Sequence, residues 1–155
     1  MMISAEGSEA ALRYSVSMPG KPVDIFDRFT ALDAWWPRHH KVGRSAIATL
    51  AVAPHMSGLI KEIGVDGVQT AWGHVIGFER PERFAFRWTC DMFWRGSETS
   101  VAFVPTGGDQ VRIELAHGRL AAMAGSIDDL HASFGAPTGW RDILGTFVNS
   151  AGAPA

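Results

Sequence analysis

One cysteine, Cys90, and one tyrosine, Tyr14, are all that this chain of 155 residues holds of either type. A lone thiol cannot close an internal disulfide, so no disulfide framework carries the fold, and nothing speaks against a reducing compartment. Charge is scarce too: 14 Lys and Arg stand against 16 Asp and Glu, for a formal net charge of −2. The cations stand singly rather than in runs, which argues against nucleic acid as a partner. Long apolar runs are missing. The stretch Ala46 to Ala53 is interrupted by Thr49 and stopped by Pro54, well short of the ~20 residues that a spanning helix needs. No membrane insertion is expected. Residues 1 to 11 have neither a basic start nor an apolar signal core, so a cytoplasmic protein is the expectation. There is no phosphate loop, dinucleotide fingerprint or nucleophile elbow. His39-His40 is an adjacent pair whose side chains are expected to diverge, and no Cys or His ladder has ligand spacing. Neither a metal nor a cofactor is expected.

What the chain does have is tryptophan. Its six, Trp35, Trp36, Trp72, Trp88, Trp94 and Trp140, are spread over nearly every predicted element. Each buried aromatic removes roughly 150–250 Å² from water, and rings converging from several elements leave gaps that small side chains do not fill. The core is therefore either unusually dense or hollow.

Alternation of Leu12, Tyr14, Val16 and Met18 with polar neighbours predicts a half-buried strand. Pro22 suits a first helical position, and Val23, Phe26 and Phe29 make one apolar stripe after it. Trp35-Trp36-Pro37 closes a short helix or turn. Strands follow over Ile47–Ala53, Leu59–Ile63, Val68–Phe78 and Phe84–Cys90, with Asp66-Gly67 as the strongest hairpin signal. Thr99–Phe103 and Val111–Leu115 complete an antiparallel meander around Thr106-Gly107-Gly108-Asp109. Residues 119 to 137 are weakly patterned and read as a short helix with a loop. A last helix, capped at Thr138, places Trp140, Ile143, Leu144, Phe147 and Val148 on one face. Residues 1–155 read as one α+β domain with an ordered core over about 12–149.

The order and spacing of these motifs carry a resemblance. Phe26 to Thr30 with Trp35-Trp36-Pro37, Gly58 with Glu62, Asp66-Gly67, Trp72-Gly73-His74-Val75, Pro81 before Phe84-Ala85-Phe86-Arg87-Trp88, Glu98-Thr99, Glu114-Leu115-Ala116-His117 and Gly139-Trp140 run in family order. The chain resembles the heat-shock protein 90 ATPase activator-like branch of the SRPBCC superfamily. One departure is Ser57-Gly58, where that family usually has two glycines. The resemblance implies a helix-grip fold, a curved antiparallel sheet wrapped around a long C-terminal helix with a ligand cavity between them.

The chemistry must be argued from side chains, since one fold hosts many functions. Strand parity points Trp72 and His74 inward together, as it does Phe86 with Trp88, Phe103, and His117 with Leu115. Trp36, Ile60, Trp140, Leu144 and Phe147 complete the expected walls. Glu62 has two readings: outward if Asp66-Gly67 is a strict two-residue turn, inward beside Trp72 if the loop is bulged by one residue. Each histidine also has a plain reading as a neutral, hydrogen-bonded imidazole. The expected function is a non-enzymatic carrier of an apolar or amphipathic small molecule. The alternatives are a cyclase- or aromatase-like enzyme acting through Glu62, His74 and His117, and a chaperone ATPase-stimulating domain, for which no residue of the chain marks a surface. Whether the chain forms a homodimer is left open.

Overall fold

A computed structural model describes residues 2–7 and 11–151. Eight antiparallel strands form one sheet: β1 (Ser4–Gly7), β2 (Ala11–Pro19), β3 (Ile47–Val52), β4 (Leu59–Gly64), β5 (Gln69–Glu79), β6 (Arg83–Trp88), β7 (Glu98–Gly107) and β8 (Gln110–Gly118). Their spatial order is β1-β2-β8-β7-β6-β5-β4-β3, so β3 to β8 is an unbroken meander and β2 closes against β8. Three helices are added: α1 (Pro22–Thr30), α2 (Ile127–Ser133) and α3 (Trp140–Ala151). The architecture is the α+β helix-grip arrangement that the alternation and the closing amphipathic helix predict. β1 is an edge strand at positions that had no strand pattern. No helix of the described residues is long and apolar enough to cross a membrane.

The turns follow from their residues. Gly108 and Asp109 both take positive φ, 61° and 57°, the geometry of the tight hairpin whose twist matches its strands. Ser57, where a glycine was expected from the resemblance, is also left-handed at φ 65°. α3 does not use Thr138 as its cap. The Ile143 N–H bonds the Gly139 carbonyl at 3.0 Å, so Gly139 occupies the cap, where a Cβ would sit 2.3 Å from the Phe134 carbonyl.

Rings fill the space between sheet and α3 in two groups. Near α1, Phe26 packs edge-on against Phe78 and Phe103, and Phe29 against Phe103 and Phe147. Further along, Trp72 stacks on Trp88, and Phe134 stacks on Trp140 with centroids 4.7 Å apart. Phe103, Phe147, Ile60, Leu144 and Trp140, expected as ligand walls, are thus fully buried packing residues.

Candidate functional site: a tryptophan-lined cavity

A small cavity of about 50 Å³ lies between the second ring group and the segment after α1. Trp36, Trp72, Trp88, Trp94 and Phe134 supply its ring walls, and His40, Lys41 and Val42 close it. Of the expected walls, Trp36, Trp72 and Trp88 are present. Trp94, Phe134 and His40 were missed, because they lie in connections that carry no periodicity.

Each ring is placed by its backbone. A 3-10 turn at Leu32–Ala34 turns Trp35 and Trp36 inward, both N–H groups bonding the Leu32 carbonyl. Trp36 then donates its indole N–H to the His40 carbonyl at 2.7 Å, pinning the loop. Trp72 is the extra residue of a bulge: Ile60 pairs with Gly73 and Lys61 with Ala71, leaving Trp72 between them. Gly73 is required there, since a Cβ would lie 1.8 Å from the Arg87 carbonyl.

The bulge corrects one expectation and decides another. His74 pairs with Leu59 and Arg87, and paired residues share a face. It is therefore half-buried on the outer face, not in the cavity. Strand parity fails because the bulge resets it. Glu62, opposite Thr70 rather than Ala71, turns inward. Its carboxylate accepts from Val42 N–H at 2.6 Å, Gly43 N–H at 2.7 Å and the Trp72 indole at 3.1 Å. It is 1% exposed, and this buried charge is held by three donors, as burial requires. It ties the backbone of Val42, which lines the cavity, and of Gly43 to the sheet.

His117 has the plain role. The Trp140 indole donates to its Nδ1 at 3.1 Å, which leaves the proton on Nε2, facing Ser97 Oγ at 2.7 Å. Ser97 Oγ in turn donates to the Trp94 carbonyl. Burial lowers the His117 pKa to about 3, so the ring is neutral. With His74 on the outer face, Glu62, His74 and His117 do not converge, and the trio that the enzyme alternative needs is not assembled.

The indole donors show one exception. Trp35, Trp36, Trp72, Trp88 and Trp140 bond Phe29 O, His40 O, Glu62, Thr99 Oγ1 and His117 respectively. Trp94 Nε1 is the one buried side-chain polar atom among the described residues with no hydrogen-bond partner. The indole N–H is turned toward the Cys90 thiol, which burial keeps neutral by raising its pKa, and a neutral thiol is only a weak acceptor.

His39 and His40 do not diverge. Pro37 opens a turn in which the His40 N–H bonds the Pro37 carbonyl, and both rings come to one side, centroids 4.4 Å apart. Both Nε2 atoms meet Asp142 Oδ2 on the first turn of α3, at 3.0 and 3.1 Å.

A roomier trough of about 470 Å³ lies on the outer sheet face, floored by Ser100, Ala102 and Ala116. Its charged lining residues, Arg13 and Glu114, are exposed. It is an open surface without buried polar chemistry, and we place the candidate site in the smaller cavity.

No family model and no curated protein matches the chain. Among solved structures, the anthrahydroquino-gamma-pyrone synthase Txn09, in its complex with SUM, is 30% identical. The alignment covers 93% of this chain and 99% of that one, at a TM-score of 0.63. The chain belongs to the same family as this synthase. Other family-like folds are more distant in sequence. CalC, a self-sacrificing resistance protein from Micromonospora echinospora, is 22% identical over 95% of this chain and 99% of its own, at 0.66. The Aha1 dimer from Colwellia psychrerythraea is 16% identical over 90% of this chain and 94% of its own, at 0.64. These two are alike in fold alone. The SRPBCC-type helix-grip fold is common to all three, and the heat-shock activator branch is not singled out.

Proposed function

We propose that this protein binds a small aromatic or amphipathic molecule bearing an oxygen acceptor, in the cavity walled by Trp36, Trp72, Trp88, Trp94 and Phe134. The indole N–H of Trp94, which has only the weakly accepting Cys90 thiol to face, carries the reading. A buried donor left unpaired costs about 1–3 kcal/mol, and a carbonyl or phenolic oxygen of a ligand would remove that penalty. Flat rings are the natural complement to such walls. The kinship with a synthase of an aromatic pyrone supports the same ligand class.

The cavity of about 50 Å³ holds one or two waters, whereas sites for drug-sized ligands span roughly 300–1,000 Å³. Binding therefore requires the latch to open: Val42 and Gly43 leave Glu62, and the segment 37–46 swings out. Ring walls then part without breaking the sheet.

Titration of intrinsic tryptophan fluorescence with hydroxyanthraquinones, fatty acids and sterols tests this. Trp94→Phe keeps a ring and removes the N–H, and the expectation is at least tenfold weaker binding of the hydroxyanthraquinone. Trp72→Ala is the poorer probe, because Trp72 is 1% exposed and truncating such a residue costs about 3–5 kcal/mol. Equal affinity of Trp94→Phe, or no response to any compound, would reject the reading.

A cyclase-like enzyme is the second reading, favoured by the 30% identity with a synthase. Its chemistry would have to come from His40, the imidazole that lines the cavity, acting as a general base through Nδ1 while Asp142, 3.1 Å from Nε2, stabilises the imidazolium. Turnover of a bound polyketide lost in His40→Ala, with binding kept, would establish it.

A further inference from the structure

We propose that His39, His40 and Asp142 form a binding site for a divalent transition-metal ion of the zinc, cobalt and nickel class. The three ligand atoms lie within 4.8 Å of one another, and the two Nε2 atoms sit 3.0 and 3.1 Å from Asp142 Oδ2. Ligands about 2.1 Å from one metal, spread at tetrahedral or octahedral angles, are separated by roughly 3.0–3.4 Å. Two of the three separations already match, and the third, between the two Nε2 atoms, is no more than 4.8 Å, which rotation of the exposed His39 ring can close. Two imidazoles with one carboxylate is a donor set that favours these ions over calcium or magnesium, which prefer oxygen alone.

The surroundings favour a cation although Asp142 stands near the start of α3. Arg38 is turned to Asp33, which it contacts at 2.8 Å. Lys41 spends its ammonium on the Gly43 and Arg44 carbonyls. Arg141 is close enough to Tyr14 to favour its ionised form. A backbone contact with Thr138 orients the His40 ring. A backbone contact that orients the ring is the usual support of a metal-binding histidine.

The His39 side chain is 68% exposed and that of Asp142 38%, against 19% for His40. One side of the ion would remain open to solvent and the other would border the cavity that His40 lines. A bound ion on Nε2 would take the one lone pair of the neutral ring and leave the proton on Nδ1, the nitrogen a general base would use. Metal binding and base catalysis at His40 are therefore mutually exclusive, and the site stands independently of any ligand in the cavity.

The test uses chelator-treated full chain titrated with Co²⁺ and Zn²⁺, read by calorimetry and by Co²⁺ visible absorption. The expected result is one ion per chain, visible d–d bands, displacement of cobalt by zinc, and affinity reduced at least tenfold in His39→Ala and in Asp142→Asn. His39 is exposed enough that its removal leaves the fold intact, which a thermal melt checks. His55→Ala, at an exposed histidine elsewhere, should bind as the wild type does. Unchanged affinity in His39→Ala and Asp142→Asn, or no saturable binding at 1 mM metal, would overturn the proposal. The three side chains would then be only a hydrogen-bonded tie between the loop and α3.

Discussion

Trp140 donates its indole N–H to His117 Nδ1 across the interior, 3.1 Å from strand to terminal helix. The bond fixes the ring as the Nε2–H tautomer, and the chain of donors ends on the Trp94 carbonyl through Ser97. A proton on Nδ1 would break it.

Stability should therefore fall in mild acid. His117 has a folded pKa of about 3 and an unfolded value near 6.5. Between them the unfolded chain binds the extra proton, so the contribution is complete above pH 6.5 and is lost progressively as pH falls towards 3. The limiting slope is about 1.4 kcal/mol per pH unit. Chemical denaturation at pH 7, 6, 5 and 4 should show this slope in the wild type and a shallower one in His117→Gln. Parallel slopes would show that the ring titrates normally.

Glu62→Gln should loosen the latch. The amide nitrogen must face at least one N–H donor that the carboxylate now accepts, at a loss of about 2–3 kcal/mol. Hydrogen exchange at Val42 and Gly43 should accelerate, and association of a hydroxyanthraquinone should become faster. Slower association with unchanged exchange would contradict the gating role.

The bulge at Trp72 makes Gly73 irreplaceable. In Gly73→Ala the new methyl would meet the Arg87 carbonyl, which is backbone and cannot swing away, so a loss of at least about 3 kcal/mol is expected. Gly67, at φ 82° with open space around it, should accept Asn at a loss under about 1 kcal/mol. Thermal melts of the two variants check the contrast, and equal midpoints would mean that the bulge relaxes.

The sheet and closing helix were legible because Phe84, Phe86 and Trp88, or Val111, Ile113 and Leu115, alternate without interruption and Trp140 to Phe147 repeat at helical spacing. His74 was misplaced because a single unpaired residue, Trp72, shifts the side chains after it to the other face until a second irregularity between Val75 and Gly77 restores the parity. Glu62 depended on the same one-residue slip, and both of its orientations were open until the pairing was known. Trp94 and Phe134 lie outside regular strands and helices, where no period reveals a facing. The meeting of His39, His40 and Asp142 joins positions about a hundred residues apart, which local pattern does not encode.

The most direct test of the ligand-binding account is an indole N–H spectrum of ¹⁵N-labelled protein, in which six tryptophans give six assignable signals. In the free protein the Trp94 signal should stand apart upfield, since the other five indoles are hydrogen-bonded. Saturation with a hydroxyanthraquinone should move Trp94 downfield as it gains an acceptor, shift Trp36 and Trp72 by ring currents, and leave Trp35 in place. A Trp94 signal unmoved at saturation, or shifts confined to residues outside the cavity, would contradict it.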